Sequence, residues 1–311
     1  MFPLRGINRT ILPLTEISEN TVGRPPSALR PERCHTTRSL EGDMSTATPT
    51  ISFLTDYGLV DEFVGVCRSV VRQLAPLTTV IDISHDIAAH DVRAGSLTLV
   101  RAVQYLADGV VLAIVDPGVG TARRAIAVEA GPMMFVGPDN GLMAPAVAML
   151  GGARRAVHLT NDEYHLSAPG PTFAGRDVFS PVAAQLTNGV ELTEFGPEID
   201  PAGLVPGMIP LTRSENDAVH AEVLWVDRYG NAQLNVDPDE IAALGDAISL
   251  EFAGTTRTAH RAETYAAIKT GSIGLVVDSY GMVSVCLDRR PAASDLGLGA
   301  GTAVVLRTPD R

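Results

Sequence analysis

Five consecutive aliphatic residues, Val110-Val111-Leu112-Ala113-Ile114, run without a polar break into Val115-Asp116-Pro117-Gly118-Val119-Gly120-Thr121. The run is too short for a helix and has no polar face, so it reads as a strand buried on both sides within a parallel sheet. The Pro/Gly turn that follows leaves the Asp116 carboxylate at the carboxyl end of that strand, where open α/β sheets place their ligands. Gly118 and Gly120 let a ligand come close to the backbone, and Arg123 returns a cation to the carboxylate. On these residues alone, the stretch is equally a tight turn with a surface Asp–Arg pair.

The neighbouring pattern favours a sheet. Residues 51–54 form a short apolar strand closed by Thr55-Asp56-Tyr57-Gly58, and Phe63, Val66, Cys67, Val70, Val71 and Leu74 then recur at helical spacing. Asp61 and Glu62 sit where a helix start favours acids. A strand over 79–83 leads into Ser84-His85-Asp86, and a helix is predicted over 92–106. Strands at 125–128, 133–136 and 157–159 and helices at 144–150 and 178–186 complete the alternation, which calls for a doubly wound α/β sheet over 49–196. Residues 197–217 carry Pro197, Pro201, Pro206 and Pro210 with Gly203 and Gly207, a linker composition. Beyond it apolar residues alternate with period two at 221–226, 232–236, 248–252, 273–277, 283–287 and 303–306. This predicts a smaller all-β, barrel-like domain over 218–311.

The first residues differ from the rest. Up to about residue 48 the chain mixes six arginines with four glutamates and Pro25-Pro26, with no sustained period and no apolar core of a secretory signal. A disordered tail is expected over 1–48, with Met44 a possible true start. Lys+Arg 24 against Asp+Glu 36 gives a formal charge of −12, which disfavours nucleic acid and anionic membrane surfaces as partners. No apolar run reaches the ~18 residues of a membrane span. Cys34, Cys67 and Cys286 are odd in number and far apart, which suits a reducing cytoplasm, and no His/Cys spacing suggests a metal.

Acidic residues gather at predicted strand ends: Asp56, Asp82, Asp86, Asp116 and Asp139. In a parallel sheet Asp56 and Asp116 share one edge, and an ionised carboxylate there can accept both hydroxyls of a ribose. Asp139, within Pro138-Asp139-Asn140-Gly141, is better explained by turn chemistry. His85 and His90 are open between structural and catalytic roles. Neither a GxGxxG after the first strand nor a Walker A sequence is present, and no Ser or Cys has a nucleophile's setting.

Six stretches occur in the order of one family. They are Thr55-Asp56-Tyr57-Gly58 with Asp61; Asp116 to Thr121 with Arg123; Pro138 to Gly141; Thr172-Phe173-Ala174-Gly175-Arg176-Asp177-Val178-Phe179; Asp227-Arg228-Tyr229-Gly230-Asn231; and Ser279-Tyr280-Gly281. Over residues 51–308 the chain resembles the S-adenosyl-L-methionine (SAM) hydrolases that form adenosine. These are also called SAM hydroxide adenosyltransferases and are relatives of the fluorinase and chlorinase.

The resemblance implies hydrolysis of SAM to adenosine and L-methionine without cofactor or metal, SAM being the substrate. It places Asp116 and Arg123 in an Asp–Arg–His set that handles the water, Asp56 and Asp61 at the substrate, and Phe173 beside the reacting carbon. Asp227 and Ser279 fall at the methionine end, Asn231 at the adenine and Tyr265 stacked on the base, with Tyr280 a further substrate contact. It further implies a homotrimer in which the β domain of one subunit closes the crevice of the next. The family's His position is Ala174 here, and a methyl group neither gives nor takes a proton. Three readings follow: a neighbour such as His85 or His90 substitutes, activity is weakened, or the chain is a SAM- or adenosine-binding protein. A halide-using, chlorinase-like enzyme is the other alternative. The Asp116 carboxylate and the short segment 129–132 between two strands both favour water over it.

Overall fold

A computed structural model describes residues 48–309, so the N-terminal stretch read as a tail lies outside the described residues. β1 (Thr50–Thr55) is buried at every position. α1 (Phe63–Leu74) turns Val64, Cys67, Val70 and Val71 inward at helical spacing. β2 (Thr79–Ser84) lies parallel to β1 at the sheet's edge, where Thr79, Ile81 and Asp82 are exposed. α2 (Val92–Ala102) begins at Asp91, whose carboxylate accepts the Ala94 N–H at 2.8 Å. The turn that follows tightens to 3₁₀ at Val103–Tyr105.

β3 (Val110–Ile114) is the buried run of the sequence, parallel to β1 on one side and to a later strand on the other. Its side chains alternate between two cores. Val110, Leu112 and Ile114 pack into one with α1, and Val111 and Ala113 pack into the other, followed by Val115. Burial on both faces is why the run has no polar position.

β4 (Ala125–Ala130) and β5 (Met133–Pro138) follow, then α3 (Ala144–Met149), β6 (Arg155–His158) and α4 (Ser180–Thr187). The six strands lie in the order β2-β1-β3-β5-β4-β6. A uniformly parallel sheet is corrected by β4, which runs antiparallel to both β5 and β6. Only Gly131-Pro132 joins β4 to β5, and a parallel crossover needs a dozen residues or more. The helices cover both faces, with Phe179, Val182 and Ala183 at the start of α4 beside α1, and α2 with α3 opposite. The doubly wound domain is present, with one reversed strand.

The predicted linker carries β7 (Arg213–Glu215), which leads into β8 (Ala218–Val226), β9 (Ala232–Leu234), β10 (Ala247–Phe252), β11 (Thr255–Arg261), β12 (Ile273–Val277), β13 (Val283–Leu287), α5 (Ala292–Leu296) and β14 (Ala303–Arg307). β14 pairs with both β10 and β8, so the sheet closes into a barrel around Val223, Leu234, Leu250, Val285 and Leu306. Sequence reading missed β11, because of its seven residues only Ala259 is buried. Arg101 on α2 joins the two domains, its guanidinium 4.2 Å from the Trp225 ring centre.

Candidate functional site

The end of β3 is held by its own turn. Val119 N–H donates to the Asp116 carbonyl, Thr121 Oγ1 donates to the Gly118 carbonyl at 2.6 Å, and Gly120 takes φ +76°. This folds Arg123 back over Asp116 in a two-pronged pair, with Nε to Oδ1 at 3.1 Å and Nη2 to Oδ2 at 2.5 Å. The Asp116 and Arg123 side chains are 6% and 12% exposed, so this is no surface ion pair. Phe179 lies under the guanidinium, 5.3 Å from ring centre to Cζ. Burial pushes the Asp116 carboxyl above its ordinary value, and Arg123 pulls it back down. The product is a fixed carboxylate more basic than one in water would be under the same pairing.

Asp56, at the end of β1, lines the same cavity of about 270 Å³, with Tyr57, Phe63, Phe173, Ala174 and Asp116. Strand ends from β1 and β3 thus meet at one edge, as parallel pairing requires. Asp56 Oδ2 accepts the backbone N–H of His90 at 2.8 Å, and His90 also lines the cavity. His90 has φ +68°, a left-handed conformation that costs a non-glycine residue roughly 1–2 kcal/mol. Asp91 N–H closes that turn on the Ala88 carbonyl.

The opposite wall is a π-helical turn over Gly175–Phe179 that starts at Ala174, with Ser180 N–H reaching back to the Gly175 carbonyl. Gly175 is required there: a Cβ would fall 2.3 Å from the Tyr57 hydroxyl. Tyr57, Phe63 and Phe173 form an aromatic cluster, with Phe63 and Phe173 edge to face at 5.0 Å. Burial above all, with nearby Cys67, Asp56 and Asp116, holds the Tyr57 phenol well above its ordinary value and hence neutral. Sequence reading did not single out Tyr57, although it lies inside a quoted stretch.

Other predicted residues fall elsewhere. Asp61 is exposed and does not line this cavity. Asp139 is a clamp: Arg124 Nε donates to it at 2.8 Å and Val205 N–H at 2.9 Å, tying β5 to the linker. His85 is buried beneath the site, with Nδ1 2.8 Å from Thr55 Oγ1 and Nε2 3.1 Å from Asp82. Burial first, then Arg68, pushes its imidazole down to about 4, and it faces no part of the cavity.

Asp227, Asn231, Tyr265, Ser279 and Tyr280 come together at a second cavity of about 330 Å³ on the barrel, and no residue lines both. Two turns build it, Asp227-Arg228-Tyr229-Gly230 and Asp278-Ser279-Tyr280-Gly281. In each, the aspartate takes the N–H of the tyrosine two residues on at 2.9 Å. Asp227 also accepts the Asn231 backbone N–H and side-chain amide, both at 2.8 Å. Asp278, which sequence reading missed, accepts Gln233 Nε2 at 2.6 Å and Ser284 Oγ at 2.9 Å. The repeated Asp-x-Tyr-Gly was the available signal.

Comparison with known proteins agrees with both halves. Residues 51–196 match the family model of the SAM hydroxide adenosyltransferase N-terminal domain, and 221–305 match that of its C-terminal domain. The chain is similar to the (R)-S-adenosyl-L-methionine hydrolase of Salinispora tropica, 46% identical over 82% of this chain and 96% of the relative. A fluorinase from an Actinoplanes species is 23% identical over 84% of this chain and 98% of that enzyme. Among solved structures, an uncharacterized conserved protein from Thermotoga maritima superposes with a TM-score of 0.77 at 30% identity, covering 83% of this chain and 99% of that one. With two matched domains in the family's order on the fold described above, the chain belongs to the SAM hydroxide adenosyltransferase family.

Proposed function

We propose that this chain hydrolyses SAM to adenosine and L-methionine by attack of water on C5′ of the ribose. The observation that carries the reading is the buried, two-pronged Asp116–Arg123 pair on a cavity also lined by Asp56 and Phe173. Methionine leaves as a neutral thioether and needs no protonation, so the protein's task is to orient and desolvate a poor nucleophile. Water bonds to C5′ as the C5′–S bond breaks and the sulfonium keeps the electron pair. Asp116 orients the water, and Arg123 keeps Asp116 ionised and in place. Asp56 accepts from the ribose hydroxyls, and Phe173 walls the reacting carbon.

At about 270 Å³ the cavity is smaller than the ~300–1,000 Å³ that encloses a whole drug-sized ligand. It suits the ribosyl end of SAM. The barrel cavity, with Asp227 and Ser279 for the methionine end, Asn231 and Tyr265 for the adenine and Tyr280 as a further contact, takes the remainder when supplied by a neighbouring subunit of a homotrimer. Asp227 accepts three hydrogen bonds within its turn, and a carboxylate's roughly four lone-pair sites leave one for an ammonium. Leu59 and Val60, 65% and 99% exposed in the stretch between Tyr57 and Phe63, suit such a covering.

Two alternatives have specific motives. Ala174 favours a protein that binds SAM or adenosine without turnover. A halide-using reaction is favoured by the fluorinase likeness, but the Asp116 anion repels halide and only two residues join β4 to β5. Incubation with SAM in ¹⁸O-water decides between them. Hydrolysis gives adenosine labelled at the 5′ oxygen, and halogenation gives a 5′-halo nucleoside when halide is present. Calorimetric binding with neither product identifies a binding protein.

A further inference from the structure

The carboxylate of Asp116 lines the cavity and Arg123 fixes it, yet the lining position that caps the π-helical turn carries only a methyl group, Ala174. Among the described histidines, His90 alone lines this cavity; His85 is buried beneath it and bonded to Thr55. Its presentation is built. The Asp56 carboxylate takes its backbone N–H at 2.8 Å, and the chain accepts φ +68° at a residue that carries a side chain. Strained left-handed backbone of this kind concentrates at functional positions. The turn from Ala88 to Asp91 then feeds α2, so His90 immediately precedes the residue that caps that helix.

Building on the hydrolase reading above, we infer that the His90 imidazole accepts the proton of the attacking water, in the place that Ala174 leaves without an acid–base group. As the water oxygen bonds to C5′ and the sulfonium takes the C5′–S electron pair, one water proton passes to the neutral imidazole and from there to solvent. Asp116 then orients the water and stabilises the imidazolium. The charged groups around His90 are Asp56, Asp116 with its partner Arg123, and Asp91, which is turned away to cap α2; Tyr57 is the remaining ionisable group on the cavity wall.

The test uses His90→Gly, which takes the left-handed backbone without strain and keeps the N–H that Asp56 accepts, so it removes the imidazole alone. Expected are a fall in kcat of about 10²–10⁴-fold with KM little changed, the scale of a positioned acid–base group. The limb of the kcat–pH profile that depends on the proton acceptor should also disappear. Free imidazole should restore part of the rate. Ala174→His added to His90→Gly should also recover rate, by supplying the group from the other wall. Unchanged kcat and pH profile in His90→Gly overturn the inference. So does a protein that binds SAM but releases adenosine only after Ala174→His, which leaves the family's chemistry standing. Absence of adenosine from every variant overturns the hydrolase reading with it.

Discussion

Replacing Arg123 by Gln strands the Asp116 carboxylate. Its side chain is 6% exposed and both of its oxygens bond to that guanidinium. Breaking a buried pair from one side costs roughly 3–5 kcal/mol. Asp116 lines an open cavity, where solvent screening brings the cost to or below the lower end of that range, about 2–3 kcal/mol. At roughly 2–4 °C per kcal/mol for a domain of this size, Tm should fall by about 4–12 °C at neutral pH.

The sign with pH is specific. Burial already raises the Asp116 pKa, and removing Arg123 takes away what opposes it. A carboxyl whose folded pKa lies above its unfolded value loses stability as pH rises from the unfolded value through the folded one. The deficit of Arg123→Gln should therefore be small where Asp116 is protonated, below the ordinary carboxylate range, and reach its full size above the raised folded value. Asp116→Asn combined with Arg123→Gln removes the stranded charge and should recover much of the loss. Differential scanning fluorimetry across pH measures all three. A deficit that is absent, or equal at every pH, would refute the reasoning.

Four further outcomes follow from the same geometry. Asp116→Ala should abolish adenosine release while adenosine still binds by calorimetry; a near-normal rate removes Asp116 from the chemistry. Asp56→Asn should weaken SAM and adenosine alike by ~10-fold or more, since hydrogen bonds to charged groups contribute about 1.5–3 kcal/mol; a loss in rate alone contradicts the ribose role. Gly175→Ala should destabilise by about 1–3 kcal/mol, because the new methyl meets the Tyr57 hydroxyl, and Tyr57→Phe should relieve part of it; an unchanged Tm would show the wall to be soft. Mixing Asp116→Ala with Asp227→Ala subunits should regain activity that neither has alone if sites form between subunits, and no recovery after subunit exchange argues against the shared site.

Much of this protein was legible in its residues. The β3 run has no polar position because both its faces are buried, and that signature survives without any knowledge of its neighbours. The turn around Asp116 was equally local, since Pro117, Gly118 and Gly120 dictate where the chain reverses. Helices α1 and α2 showed themselves by spacing, whereas the Asn-Gly company of Asp139 announced a turn and not its clamp to Arg124 and Val205. Other features had no local trace. The seven residues of β11 are mostly polar and exposed, and only pairing with β10 and β12 makes them a strand. Closure of the barrel is a β14–β8 pairing across some eighty residues.

The site divides in the same way. Residue types named the carboxylates, because chemistry is a property of side chains, and only the resemblance to the family named Ala174 as a histidine's position. Sequence reading left His85 and His90 equivalent, five residues apart. Tertiary structure separated them, burying His85 against Thr55 and Phe53 and turning His90 through a left-handed backbone onto the cavity. It also put Asp227 and Asp116 on two distinct cavities within one chain. Local sequence determines what a residue can do and the turn that carries it. Which groups share a solvent-excluded space depends on contacts between segments far apart in the chain, and only the folded structure decides that.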